Sequence, residues 1–191
     1  MNYKIQKNYI NKYLKEVKIL LEIIDREEIL AVLKILIKLK AKNGRLFVLG
    51  IGGSAANASH AVNDFRKICN IETYAPTDNV AELTAWTNDN GFEYIFIKWL
   101  HGSRLNKNDA LLILSVGGGS NTTSRNLVLA MRYAKKVDAK ILGIVSRDGG
   151  QTRKLSDACV LISPITPERI TPHAEEWQSI ILHLIANALI L

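Results

Sequence analysis

Residues 45–67 read RLFVLGIGGSAANASHAVNDFRK, and the order of residue types in that stretch decides the fold. Arg45 to Gly50 is a short apolar run ending in glycine, which by its length and flanks is a buried strand. From Ser54 onward the pattern is helical, so the segment is a strand, a glycine turn and a helix in succession. A glycine turn that opens a helix exposes backbone N–H groups at the positive end of the helix dipole, and a hydroxyl there adds a donor. Gly52, Gly53 and Ser54 are therefore candidate ligands for an anion. Four residues apart in the helix stand His60 and Asp64, which project from one face and are candidates for binding metal or moving protons.

Working outward, the same alternation repeats. Ahead of the corner, Ile10, Leu14, Val17, Leu21 and Ile24 recur at steps of three and four, which predicts an amphipathic helix. A second helix is predicted over 27–42, stopped by Asn43-Gly44. After the corner, 71–75 reads as a strand, Pro76 to Asp78 as a turn, and 80–87 and 92–100 as helices. Strands are then predicted at 110–116, 140–146 and 158–163, with a helix running to Lys136 between the first two. A loop carrying Pro164, Pro167 and Pro172 leads to a closing helix over 175–191. Strands alternating with helices call for a parallel sheet covered on both faces, with ligands beyond the carboxyl ends of the strands. The turns 50–54, 117–124 and 147–150 all follow strands and fall at that edge.

With 191 residues the chain is long enough for one well-filled core, and a single unit over 1–191 is expected, with a helical segment at 1–42 and an α/β core at 43–191. Apolar runs are too short to span a membrane, and charges interrupt the start where a signal peptide would be apolar, so a cytoplasmic protein is expected. Cys69 and Cys159 lie far apart without C-x-x-C spacing and are expected as buried thiols. The net charge is +7, but many of the lysines lie in the first 42 residues, interleaved with Ile and Leu as the wet face of helices. That pattern argues against a nucleic-acid surface, and a basic protein equally attracts anionic metabolites.

The second glycine-rich loop, 117-GGGSNTTS-124, crowds Ser120, Thr122, Thr123 and Ser124 before a helix, where one residue would suffice as a cap. Two such loops at one sheet edge point to a phosphate. Neither reads G-x-G-x-x-G and no Walker lysine follows, so no nucleotide cofactor is expected. In the last helix, Glu175 and His183 are eight apart, whereas Glu176 and His183, seven apart, are nearly in line, so geometry alone favours Glu176 as the partner of His183.

Together, 50-GIGGSAANASHAVNDFRK-67, 87-TNDNGF-92, the hydroxyl-rich loop before SRN, 147-RDGG-150 and 171-TPHAEEWQSIILH-183 resemble the SIS, or sugar isomerase, domain of the phosphoheptose isomerase family over nearly the whole chain. The resemblance implies a three-layer α/β/α sandwich of flavodoxin-like type, with a five-stranded parallel sheet. It also implies an N-terminal helical pair that builds a homotetramer with active sites shared between subunits. The activity implied is isomerisation of sedoheptulose 7-phosphate to a heptose 7-phosphate in bacterial surface-sugar synthesis. By position, Asp64 and His183 become the proton-transfer pair. Ser54, Ser120, Thr122, Thr123 and Ser124 become phosphate ligands, and Asn88 and Asp89, expected in a loop, hold sugar hydroxyls. A zinc site carries over to His60, Asp64, Glu175 and His183. The chain departs from the family pattern at Asp64 and Glu175, where glutamate and glutamine are usual, and at Ile51, where asparagine is.

Overall fold

A computed structural model of the protein describes residues 3–191. Helices α1 (Tyr3–Ile23) and α2 (Arg26–Ala41) precede β1 (Leu46–Leu49), α3 (Gly53–Lys67) and the short β2 (Thr73–Tyr74). Then follow α4 (Val80–Asn90), α5 (Ile95–Gly102), β3 (Ala110–Ser115), α6 (Arg125–Lys136), β4 (Lys140–Ser146), α7 (Gly150–Leu155), β5 (Ala158–Ile162) and α8 (Ile170–Ala188). All five strands are parallel, in the order β2-β1-β3-β4-β5. The order reverses between β1 and β3, and a crevice opens at such a switch point beyond the strands' carboxyl ends.

Because successive strand residues face opposite sides, β1 and β3 divide their side chains between two cores. Leu46, Val48, Leu112 and Leu114 pack with α2, α3 and α8 through Val32, Leu36, Phe65, Trp177 and Ile185. Phe47, Leu49, Leu111 and Ile113 pack on the other face with Phe96 and Leu100 of α5 and Leu127 and Met131 of α6. Buried on both faces, these strands carry the continuous apolar runs that marked them in the sequence. Asp25 caps α2, its Oδ1 accepting from the backbone N–H of Glu27 at 2.8 Å and of Glu28 at 3.3 Å.

Some expectations change. The second strand shrinks from five residues to Thr73–Tyr74, at the sheet edge where β1 alone offers partners. A short helix, α7, follows the 147–150 turn where none was anticipated. The closing helix begins at Ile170 rather than 175, since Pro172 sits in its first turn, where no N–H is required. Asn88 and Asp89 belong to the last turn of α4, not to a loop, because the helix runs on until Gly91, whose φ of 90° ends it. Cys69 is buried and Cys159 half-buried, and both are free thiols. No helix among the described residues is long and apolar enough to cross a membrane.

Candidate active site

The two glycine-rich turns meet at the β1/β3 edge. The first passes through Gly52, whose φ of 65° a side chain would disfavour, and delivers Ser54, buried, into the first turn of α3. The second leaves β3 through Gly118, at φ 67°, where an added Cβ would stand 1.9 Å from the carbonyl oxygen of Gly149. That close approach lets the 117–124 loop dock on the start of α7: Thr152 donates from its backbone N–H (2.9 Å) and hydroxyl (2.8 Å) to Gly118 O. Between the turns lies a cavity of about 420 Å³ lined by Ser54, Ser115, Ser120, Thr123, Ser124, Thr171, Arg147 and Asp148, with Ile51 and Val116 as apolar wall. Ser120 Oγ accepts from the backbone N–H groups of Thr122 (3.2 Å) and Thr123 (2.9 Å) and lies 3.3 Å from the hydroxyl of Thr122, so the two side chains form a hydroxyl pair at the cavity edge. Hydroxyl donors on a frame of glycine turns and a helix N-terminus suit a phosphate.

Thr122 lines a neighbouring cavity of about 580 Å³ with Phe92, Glu93, Asn121, Arg125 and Asn126, and Ile51 and Ser124 border both spaces. Asn88 and Asp89 are exposed on α4 and line neither cavity; the Asn88 amide donates to Asp89 Oδ1 at 2.8 Å.

Further along α3, packing against α8 brings three groups together. His60 Nε2 lies 2.9 Å from His183 Nε2, and Asp64 Oδ2 lies 3.4 Å from the first and 3.5 Å from the second. The carboxylate is buried while both imidazoles are half-exposed. Asn63 donates to Asp64 Oδ1 at 3.1 Å, so Oδ2 is the oxygen left for the imidazoles. Asn57 ties the helices together, donating to the backbone oxygen of Glu175 (2.8 Å) and to Gln178 Oε1 (3.1 Å). The ligand atoms of His60, Asp64 and His183 all lie within 4.8 Å of one another, so these three could hold a metal ion.

Glu175 stands outside that cluster. An added Cβ at Gly53 would fall 2.3 to 2.6 Å from its carboxyl atoms, which places the carboxylate over the start of α3, where the helix dipole favours negative charge. Glu176, which spacing favoured as the partner of His183, instead meets His173 Nδ1 at 3.2 Å and accepts from the hydroxyl of Tyr13. Sequence reasoning did not name Asn63, and named Arg147 only as part of the 147–150 turn at the ligand edge. Arg147 lies in the left-handed region at φ 54°, borders the phosphate-like cavity, and has no ion-pair partner among the described residues. A non-glycine residue held there is a local cost that structure elsewhere must support, and its signal in the sequence was the RDGG run.

Comparison with known proteins agrees with this architecture. The family model for the SIS domain matches residues 12–146. A phosphoheptose isomerase of Helicobacter hepaticus is 31% identical over 158 residues, covering 80% of this chain and 76% of that one. Its counterpart from Nitratiruptor is 32% identical over 148 residues, covering 75% and 74%. Among solved structures, the phosphoheptose isomerase GmhA of Neisseria gonorrhoeae superposes with a TM-score of 0.83 at 23% identity, over 97% of this chain and 98% of that one, which is a likeness of fold. With the domain match spanning most of the chain and relatives above 30% identity covering three quarters of it, the chain belongs to the SIS domain family, among the phosphoheptose isomerases.

Proposed function

We propose that the protein is an aldose-ketose isomerase that converts sedoheptulose 7-phosphate to D-glycero-heptose 7-phosphate through a cis-enediol, in the synthesis of bacterial surface heptose. One observation carries the reading: a single helix, α3, points its N-terminus at the hydroxyl-lined cavity and carries His60 and Asp64 further along. Six residues of helix separate Ser54 from His60, about 9 Å along the axis, a span suited to a phosphate held at one end and a carbonyl carbon at the other. The relatives are named phosphoheptose isomerases, which supports a seven-carbon sugar phosphate as the substrate.

In this scheme Ser54, Ser120, Thr123 and Ser124 hold the phosphate, with Thr122 and Arg147 at the rim. Asp64 Oδ2 takes the proton from C1 and returns it to C2. His183 moves the hydroxyl proton from O1 to O2, so the carbonyl passes from C2 to C1 with no net gain or loss of protons. The half-exposed His60 lies beside both. Two imidazole nitrogens and a carboxylate oxygen in mutual reach are a donor set that zinc accepts, so His60, Asp64 and His183 would hold it, and bound there it would polarise the substrate carbonyl. Asn88 and Asp89, away from the cavities of their own chain, would serve a site completed by a neighbouring subunit of a homotetramer.

A screen of ketose phosphates of five to seven carbons, followed by NMR, tests the reading. Conversion of the seven-carbon substrate is expected to be fastest. Tight binding of sugar phosphates with no conversion of any would contradict it and favour a binding module.

A further inference from the structure

Helix α1 has 21 residues, yet among them only Glu16 and Leu20 are buried. A buried carboxylate is costly unless charge and hydrogen bonds compensate it. Glu16 has both kinds of partner. Arg169 donates from Nε to Glu16 Oε2 at 2.7 Å and from Nη2 to Oε1 at 2.8 Å, a two-pronged pair. His173 Nε2 lies 3.0 Å from Glu16 Oε2, and its ring centre is 4.6 Å from that of Tyr13. Tyr13, one turn before Glu16, donates to Glu176, which also meets His173. Two residues of α1 thereby grip Arg169, His173 and Glu176.

The gripped segment is the start of α8, and no side chain caps that helix. Its first turn therefore lacks the usual local restraint. Arg169 and His173 stand two residues to either side of Thr171, which lines the hydroxyl-rich cavity, and Glu175 follows two residues later against Gly53. We propose that Glu16 is a positioning residue: through Arg169 and His173 it fixes the first turn of α8, and so holds Thr171 at the cavity and Glu175 over the start of α3. Helix α1 is then part of the site's frame as well as a surface for assembly. Its effect on turnover rests on the isomerase reading; its effect on α8 does not.

The test compares the parent with Glu16→Gln, Arg169→Gln, Arg169→Lys and Glu16→Gln/Arg169→Gln, by native-state hydrogen exchange and by steady-state kinetics. In Glu16→Gln, exchange in a peptide covering 169–177 should quicken by about tenfold or more while β3 and β4 keep their protection. The KM for the sugar phosphate should rise by roughly tenfold with kcat changing less than about threefold, because a binding wall has moved and the proton-transfer groups have not. Arg169→Lys, which keeps the charge and loses the two-pronged geometry, should change both readouts less, and it carries the test if Glu16→Gln does not fold. Effects in the double variant well short of the product of the single ones would show that the two residues act as a unit. Unchanged exchange over 169–177 in a folded Glu16→Gln, or exchange that quickens equally across the sheet, would overturn the proposal. A parent that converts no sugar phosphate contradicts the isomerase reading instead, and the exchange comparison still decides the role of Glu16.

Discussion

Ser54 and Asp64 belong to one helix, and the proposed reaction gives them different work. Ser54 is buried at the helix start beside the glycine turn, where its hydroxyl and the backbone N–H groups can face an anion together. Removing it with Ser124, which borders the same cavity, should weaken sugar-phosphate binding by about 1 to 3 kcal/mol per lost hydroxyl, since the acceptor is charged. Calorimetric titration with the sugar phosphate checks this, and an unchanged affinity in Ser54→Ala/Ser124→Ala would remove the phosphate from that cavity. The residues readable from sequence were those whose spacing is itself geometry: His60 and Asp64 one turn apart, and hydroxyls massed before a helix. Those that escaped act through contacts that spacing does not encode. Asn63 orients the carboxylate of its own neighbour, and the side chain of Arg147, in a turn that the RDGG run did mark, reaches the cavity through a left-handed backbone that spacing does not show. Glu175 was placed on the right helix, yet its carboxylate lies on Gly53, because the close approach depends on how α8 crosses α3.

Among the elements, the central strands were readable because burial on both faces forces continuous apolar runs, as in β3 and β4. The short extent of the edge strand β2, read as 71–75, and the six-residue α7 were not, since their backbone is set by neighbours rather than by periodicity. The stripe Ile10, Leu14, Leu21 correctly signalled a helix, but these side chains are more than half exposed, and a buried carboxylate docks α1 on its own chain. The Arg169 guanidinium, aided by His173 and opposed by burial, lowers the Glu16 pKa to about 2, below the ordinary carboxylate value of 4.5. A group so lowered stabilises the fold fully above the unfolded pKa, and that contribution is lost as pH falls from about 4.5 toward 2. The difference in urea midpoint between the parent and Glu16→Gln should therefore be largest at pH 5 and above and shrink toward pH 2.5. Other carboxylates titrate in both proteins and cancel. A difference constant across that range would mean that Glu16 carries no such charge interaction.

For the molecule as a whole, the sheet order places two glycine-rich turns on either side of one switch point, and the helix leaving the first turn carries His60 and Asp64, the latter proposed above as the base. The exposed apolar side chains of α1, with Ile180 and Leu184 of α8, form surface that a monomer leaves wet. Light scattering at micromolar concentration should report a homotetramer, and an active monomer would sink both the assembly and any sharing of the site. The central claim, that Asp64 carries a proton between adjacent carbons of a bound sugar phosphate, is met most directly by running the isomerisation of sedoheptulose 7-phosphate in deuterium oxide. The product should carry deuterium at C2, because a proton held on a carboxylate with half-exposed neighbours exchanges with solvent before it returns. Asp64→Asn should lower kcat by about a hundredfold or more with the fold intact, the span of a positioned general base. Near-normal turnover of Asp64→Asn, with deuterium entering C2 as in the parent, would contradict the account.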